Sequence, residues 1–212
     1  MRPRLPGTLR PADLPLHDLS DGGVLLALEY AGADLAGRDV ASLEIDQCRF
    51  RSTALTGTEL DRAVISDCVF ESCDLANIRA EDCGLLRVAV SGSRMTGLSW
   101  AGGGVRDTAF GSCRMDLVSF RFTTFKHTVF TDCRLTQADF ASADLRGARF
   151  ERCDLSGAQF SQAQMTGTRF TGCILDGISG VTSMRGAIVD RTDALALAYS
   201  LASALGISIE DS

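Results

Sequence analysis

Large apolar side chains recur at every fifth residue through most of this chain. From Leu35 to Leu175, the positions numbered in multiples of five hold Leu, Ile, Val, Met, Phe or Trp at 28 of 29 sites, Ala80 being the exception. Two residues earlier, from Ala33 to Cys173, a second set holds Ala, Cys, Ser, Thr or Gly at 23 of 29 sites. All eight cysteines belong to it: Cys48, Cys68, Cys73, Cys83, Cys113, Cys133, Cys153 and Cys173. Polar residues and glycine fill the positions between. A period of five fits neither the 3.6 of an amphipathic helix nor the alternation of a half-buried strand. It describes an internal repeat in which one large and one small side chain per unit turn inward.

Blocks such as Ala138-Asp139-Phe140, Ala143-Asp144-Leu145, Cys153-Asp154-Leu155 and Ala158-Gln159-Phe160 resemble the A(D/N)Lxx unit of pentapeptide-repeat proteins. The resemblance covers about residues 31–178. It implies an all-β fold, a right-handed quadrilateral β-helix with four units per coil, closed by a short carboxy-terminal capping and dimerisation helix. Four units per coil predicts that residues 20 apart lie over one another. One such column would hold Phe50, Phe70, Val90, Phe110, Phe130, Phe150 and Phe170, and another Leu35, Leu55, Leu75, Met95, Met115, Leu135, Leu155 and Leu175. At about 4.8 Å per coil, about seven coils would give a rod on the order of 35 Å long.

The pattern divides the chain into a cover over residues 1–30, a repeat region over 31–180 and a terminal module over 181–212. Open ends of a β-solenoid expose bore and strand edges, so both ends need covering. Asp190-Arg191-Thr192-Asp193 reads as a helix start and Gly206 as a helix stop, with Leu195, Ala198, Leu201, Ala202 and Leu205 among the apolar residues between. This tail, with Ile207 beyond it, resembles the carboxy-terminal module of the MfpA and Qnr quinolone-resistance subgroup. That resemblance implies an end-to-end homodimer through Leu195, Ala198, Leu201, Ala202, Leu205 and Ile207. Around Ala80, Val88, Leu98 and Gly102-Gly103-Gly104 the small-site preference weakens, which predicts a distorted coil or two. The register never slips, so no projecting loop is expected.

Net charge is −6, which argues against a protein that binds nucleic acid by counterion release. No stretch approaches the roughly 20 apolar residues of a membrane helix, and the first residues lack the apolar core of a signal peptide. A cytoplasmic protein with reduced thiols is expected. The two histidines, His17 and His127, form no catalytic constellation, and cysteines recurring at multiples of five do not make a zinc clamp. No enzyme activity, metal or cofactor is expected.

Charge is the remaining signal. Residues 31–85 carry 11 acidic and 5 basic side chains, whereas residues 86–135 carry 3 acidic and 7 basic. The MfpA and Qnr resemblance implies an acidic rod that imitates DNA on DNA gyrase or topoisomerase IV and modulates the enzyme or protects it from quinolones. Seven acidic positions immediately before large sites are the candidates: Asp34, Asp39, Glu44, Asp74, Asp139, Asp144 and Asp154. An interaction scaffold with a different protein target is the alternative.

Overall fold

The computed structural model describes residues 3–207, and every strand pairing in it is parallel. The chain winds into a quadrilateral β-helix whose four faces follow one another in sequence. Face 1 is a ten-stranded sheet running from Arg10–Pro11 to Ile188–Val189. Face 2 is a ladder of single bridges, Asp34 to Ala54, Asp74, Arg94, Arg114, Arg134, Asp154 and Ile174. Face 3 has four strands, from Asp39–Ala41 to Ser99–Ala101, and face 4 has six, from Val24–Leu26 to Thr124–Lys126. Single bridges carry faces 3 and 4 onward, through Ser119, Asp139, Gln159 and Ser179, and through Asp144 and Gln164. The strands of face 4 reach back to Val24 and those of face 1 to Arg10, inside the segment expected to be a cover.

Register is offset by 20 throughout the repeats: Phe50 opposes Phe70, Ile45 opposes Ile65 and Val40 opposes Leu60. In each strand the middle residue is buried while its neighbours face outward, because successive side chains alternate across the pleat. On face 1 the rings stack almost parallel, with centroids 4.6 Å apart for Tyr30–Phe50 and Phe50–Phe70. The stack resumes beyond Val90, at 4.9 Å for Phe110–Phe130 and Phe130–Phe150 and 5.1 Å for Phe150–Phe170. Phe120, Phe140 and Phe160 form a second stack inside face 3, set edge-on against the first.

The corners turn through left-handed backbone. Ser52, Asp67, Ser72, Asn77, Asp132 and Gly157 all have positive φ there. Small or short polar residues tolerate this conformation best.

The distorted coil expected near Ala80 is absent as a break in pairing: Leu60, Ala80 and Trp100 stay in register, as do Leu85 and Val105. The irregularity is one of volume. Ala80 lies one coil from the broad indole of Trp100, and an added Cβ at Gly103 would lie 2.9 Å from Trp100 Nε1 and 2.0 Å from the Cys83 carbonyl oxygen. Only glycine fits there. Val90 interrupts the aromatic stack, and an apolar cavity of about 50 Å³ lies in this part of the bore, with Phe70, Val90, Trp100 and Phe110 among its lining.

The helix α1 (Ala194–Ala204) closes the far end after a 3₁₀ turn at Arg191–Asp193, and Gly206 follows it with φ 71°. Asp193, though buried, accepts the Cys173 backbone N–H at 2.8 Å. It thereby supplies at the last coil the acceptor that a following coil would have brought.

Candidate functional surface

The bore leaves the outer wall of the rod to carry function. All eight thiols are buried and free. They do more than fill space: Cys48 N–H donates to Cys68 Sγ at 3.4 Å, while Cys68 Sγ donates to the Ser66 carbonyl at 3.1 Å. Cys83 receives the Ala63 N–H in the same way, and Ser93 Oγ receives that of Cys73 at 3.0 Å. These backbone groups turn toward the bore, so a small polar side chain one coil on satisfies them. Burial pushes the Cys73 and Cys83 thiols above the ordinary value of 9.0. Among the described residues, no group of three or more His, Cys, Asp or Glu could hold a metal ion, and no helix is long and apolar enough to cross a membrane.

Outward charges pair mainly along the rod, one coil apart. Arg51 meets Glu71, Arg79 meets Glu59, Arg94 meets Asp74 and Arg152 meets Asp132, all at 2.7–3.1 Å. The least exposed of these pairs is Arg87–Asp67, whose fork contacts measure 2.8 and 2.5 Å. Asp67 also accepts the Arg4 backbone N–H at 2.9 Å, which ties the amino-terminal segment to the rod. The Arg87 guanidinium lowers the Asp67 pKa below its ordinary 3.8, outweighing the opposing effect of burial.

The seven acidic positions singled out in the sequence lie on three faces. Asp34, Asp74 and Asp154 are on face 2, Asp39 and Asp139 on face 3, and Glu44 and Asp144 on face 4. Asp74, Asp139 and Asp144 are ion-paired with Arg94, Arg121 and Arg146. Asp154 caps its own turn through the Ser156 N–H and Oγ. Asp34, Asp39 and Glu44 are exposed and, among the described residues, have no ion pair. Near them on face 3 stand Glu59, Asp61, Glu81 and Asp82, with a shallow groove between Asp39, Glu59, Asp61, Arg79 and Glu81. The acidic surface is therefore concentrated on faces 3 and 4 of the amino-terminal half. The sequence reading named single positions and missed this clustering: Glu59 stands immediately before Leu60 but was not among them, and Asp61, Glu81 and Asp82 occupy other places in the unit.

A family model described as a pentapeptide repeat region matches residues 104–179. Over these residues the chain carries a pentapeptide-repeat region. Solved structures similar to the pentapeptide-repeat chain include HetL, a pentapeptide repeat protein involved in heterocyst differentiation regulation from the cyanobacterium Nostoc. It is 18% identical, with 79% of this chain and 87% of that one covered and a TM-score of 0.35. A trypsin-treated form of QnrB1, a plasmid-mediated fluoroquinolone resistance protein, is 19% identical, with 95% and 96% covered and a TM-score of 0.36. No curated protein matched the chain in sequence.

Two further features stand out on the pentapeptide-repeat rod. Leu117 and Phe122 occupy the corners on either side of face 3, with φ of 58° and 59°, and both are more than half exposed. They stand over Gly97 and Gly102 of the preceding coil. At the far end, Leu201, Leu205 and Ile207 are exposed at 41%, 72% and 55%, Ala198 is exposed and Ala202 half-buried. The side chain of Leu195 lies outside the described residues, as do residues 208–212.

Proposed function

We propose that this pentapeptide-repeat rod is a binding protein whose acidic amino-terminal half occupies a DNA-binding groove of DNA gyrase or topoisomerase IV, and so modulates the enzyme or protects it from quinolones. The observation that carries the reading is the cluster on faces 3 and 4: Asp39 and Glu59, and Asp61 and Glu81, stand one coil apart, with Glu44 and Asp82 beside them, on a stiff support. Carboxylates repeated along a rod meet a groove built for phosphates with complementary charge. The target class comes from the sequence resemblance to the MfpA and Qnr subgroup.

The test is a gyrase supercoiling assay with and without quinolone. The expected result is altered supercoiling or reduced quinolone-induced cleavage at micromolar protein, lost in Asp39→Lys/Glu81→Lys. Unchanged gyrase activity and no binding to the enzyme would remove the reading.

The exposed pair Leu117 and Phe122 favours a second reading, an interaction scaffold for another protein. Bulky residues in left-handed backbone cost stability, and here the exposed side chains return little packing. Aromatic anchors of this kind concentrate binding energy at interfaces. Recovery of a stoichiometric partner other than a topoisomerase, lost on Phe122→Ser, would select this alternative.

The end-to-end homodimer belongs to the same proposal. Leu201, Leu205 and Ile207 present apolar surface at the end of the rod, where a second copy would cover it.

A further inference from the structure

Face 2 contains a run of like charge. Its bridge ladder places Arg94 against Arg114 and Arg114 against Arg134. Three guanidiniums one coil apart repel, and like charges directly opposite destabilise a sheet. The outer two are relieved by Asp74 at 2.9 Å and Asp116 at 2.7 Å. Arg114, between them and exposed, has no carboxylate in ion-pair reach among the described residues. Beside the ladder, at the corner of faces 1 and 2, lies an open groove of about 500 Å³ lined by Gly92, Ser112, Arg94, Arg114, Arg134 and Asp132. The small corner residues Gly92 and Ser112 create the space. Asp132 leaves the positive charge uncancelled, because Arg152 already holds it at 2.7 and 3.0 Å.

We propose that this groove binds a condensed phosphate chain of about triphosphate length. Guanidinium forks match phosphate oxygens in pairs and remain charged at every relevant pH. Arg114 offers a free fork, while Arg94 faces Asp74 through Nη1 and Arg134 faces Asp116 through Nε, leaving each further N–H groups. The three span two coil steps, about 10 Å, so a short chain with oxygens along its length engages all of them, whereas a single carboxylate engages one. The ladder also sets an upper length. Asp74 precedes Arg94 and Asp154 follows Arg134 in the same column, so a longer polyanion would run onto carboxylates at both ends. This distinguishes the site from a nucleic-acid track, and it is independent of the acidic surface on faces 3 and 4.

Isothermal titration with sodium triphosphate in low-salt buffer tests the site, with ATP as a parallel titrant to separate a free condensed phosphate from a nucleotide. Arg114→Gln should weaken triphosphate binding at least tenfold. Arg169→Gln, which removes an exposed arginine of face 1, should change it less than twofold. Without ligand, Arg114→Gln should unfold at the same or a higher temperature than wild type, because a repelling charge has gone. Equal losses in the two variants would reduce the effect to general charge screening and overturn the proposal. So would no binding at 1 mM triphosphate, a lowered melting temperature for ligand-free Arg114→Gln, or tighter binding of a DNA duplex than of triphosphate.

Discussion

At the residue scale, the small inward site does two jobs, filling the bore and satisfying backbone. Cys68→Ala should cost about 1–2 kcal/mol, since it leaves the Cys48 N–H without its acceptor, whereas Cys68→Ser should recover part of that loss, as Ser93 already serves the same role for Cys73. Chemical denaturation of the two variants checks this. Gly103→Ala should be far more damaging than a surface glycine substitution, because its Cβ would collide with the Cys83 carbonyl at 2.0 Å. Conversely, Val90→Phe should restore the interrupted stack and fill part of the cavity of about 50 Å³ that Val90 helps to line, a gain of roughly 1 kcal/mol visible as a raised melting temperature. The inward positions were legible in the sequence because a period of five places them without reference to anything distant. The hydrogen bonds from backbone N–H to thiol were not, since they join residues 20 apart whose facing groups only the coil geometry defines.

At the element scale, stacked strands carry the fold and the terminal helix closes it. The columns of 20 followed from the sequence, and the pairings of Phe50, Phe70, Val90, Phe110 and Phe130 bear them out. The weakened stretch near Ala80 was misleading because the small-site preference faded there while inward volume was rebalanced between Ala80, Trp100 and Gly103. The role of Asp193 as the last acceptor in the Cys173 column could not be read locally either, because that part of the chain has already left the five-residue beat. In the end-to-end dimer proposed for α1, Leu205→Glu should yield a folded monomer by light scattering while wild type runs as a dimer. A wild-type monomer at micromolar concentration would contradict the dimer.

At the scale of the whole molecule, stability and binding answer to different charges. The raised thiols of Cys73 and Cys83 are protonated in the folded state at pH values where unfolded thiols ionise. Their contribution is complete below the unfolded value of about 9 and is lost as pH rises above it. Asp67 acts oppositely: its lowered pKa contributes stability above the unfolded carboxylate value, lost as pH falls below about 3.8. Denaturant midpoints measured across pH should therefore fall at both extremes, and Asp67→Asn should flatten the acid limb. Banding of charge along the rod was visible in the sequence. Its division among faces was not, because arginines such as Arg94, Arg121 and Arg146 neutralise particular acids and leave Asp34, Asp39 and Glu44 open. The central functional claim is that these acidic rows compete with DNA for a topoisomerase groove. The most direct measurement is displacement of a labelled DNA duplex from gyrase by the purified rod across a salt series. The account predicts displacement that weakens with added salt and disappears in Asp39→Lys/Glu81→Lys; DNA retained at every salt concentration, or displaced equally by the charge-reversed variant, would contradict it.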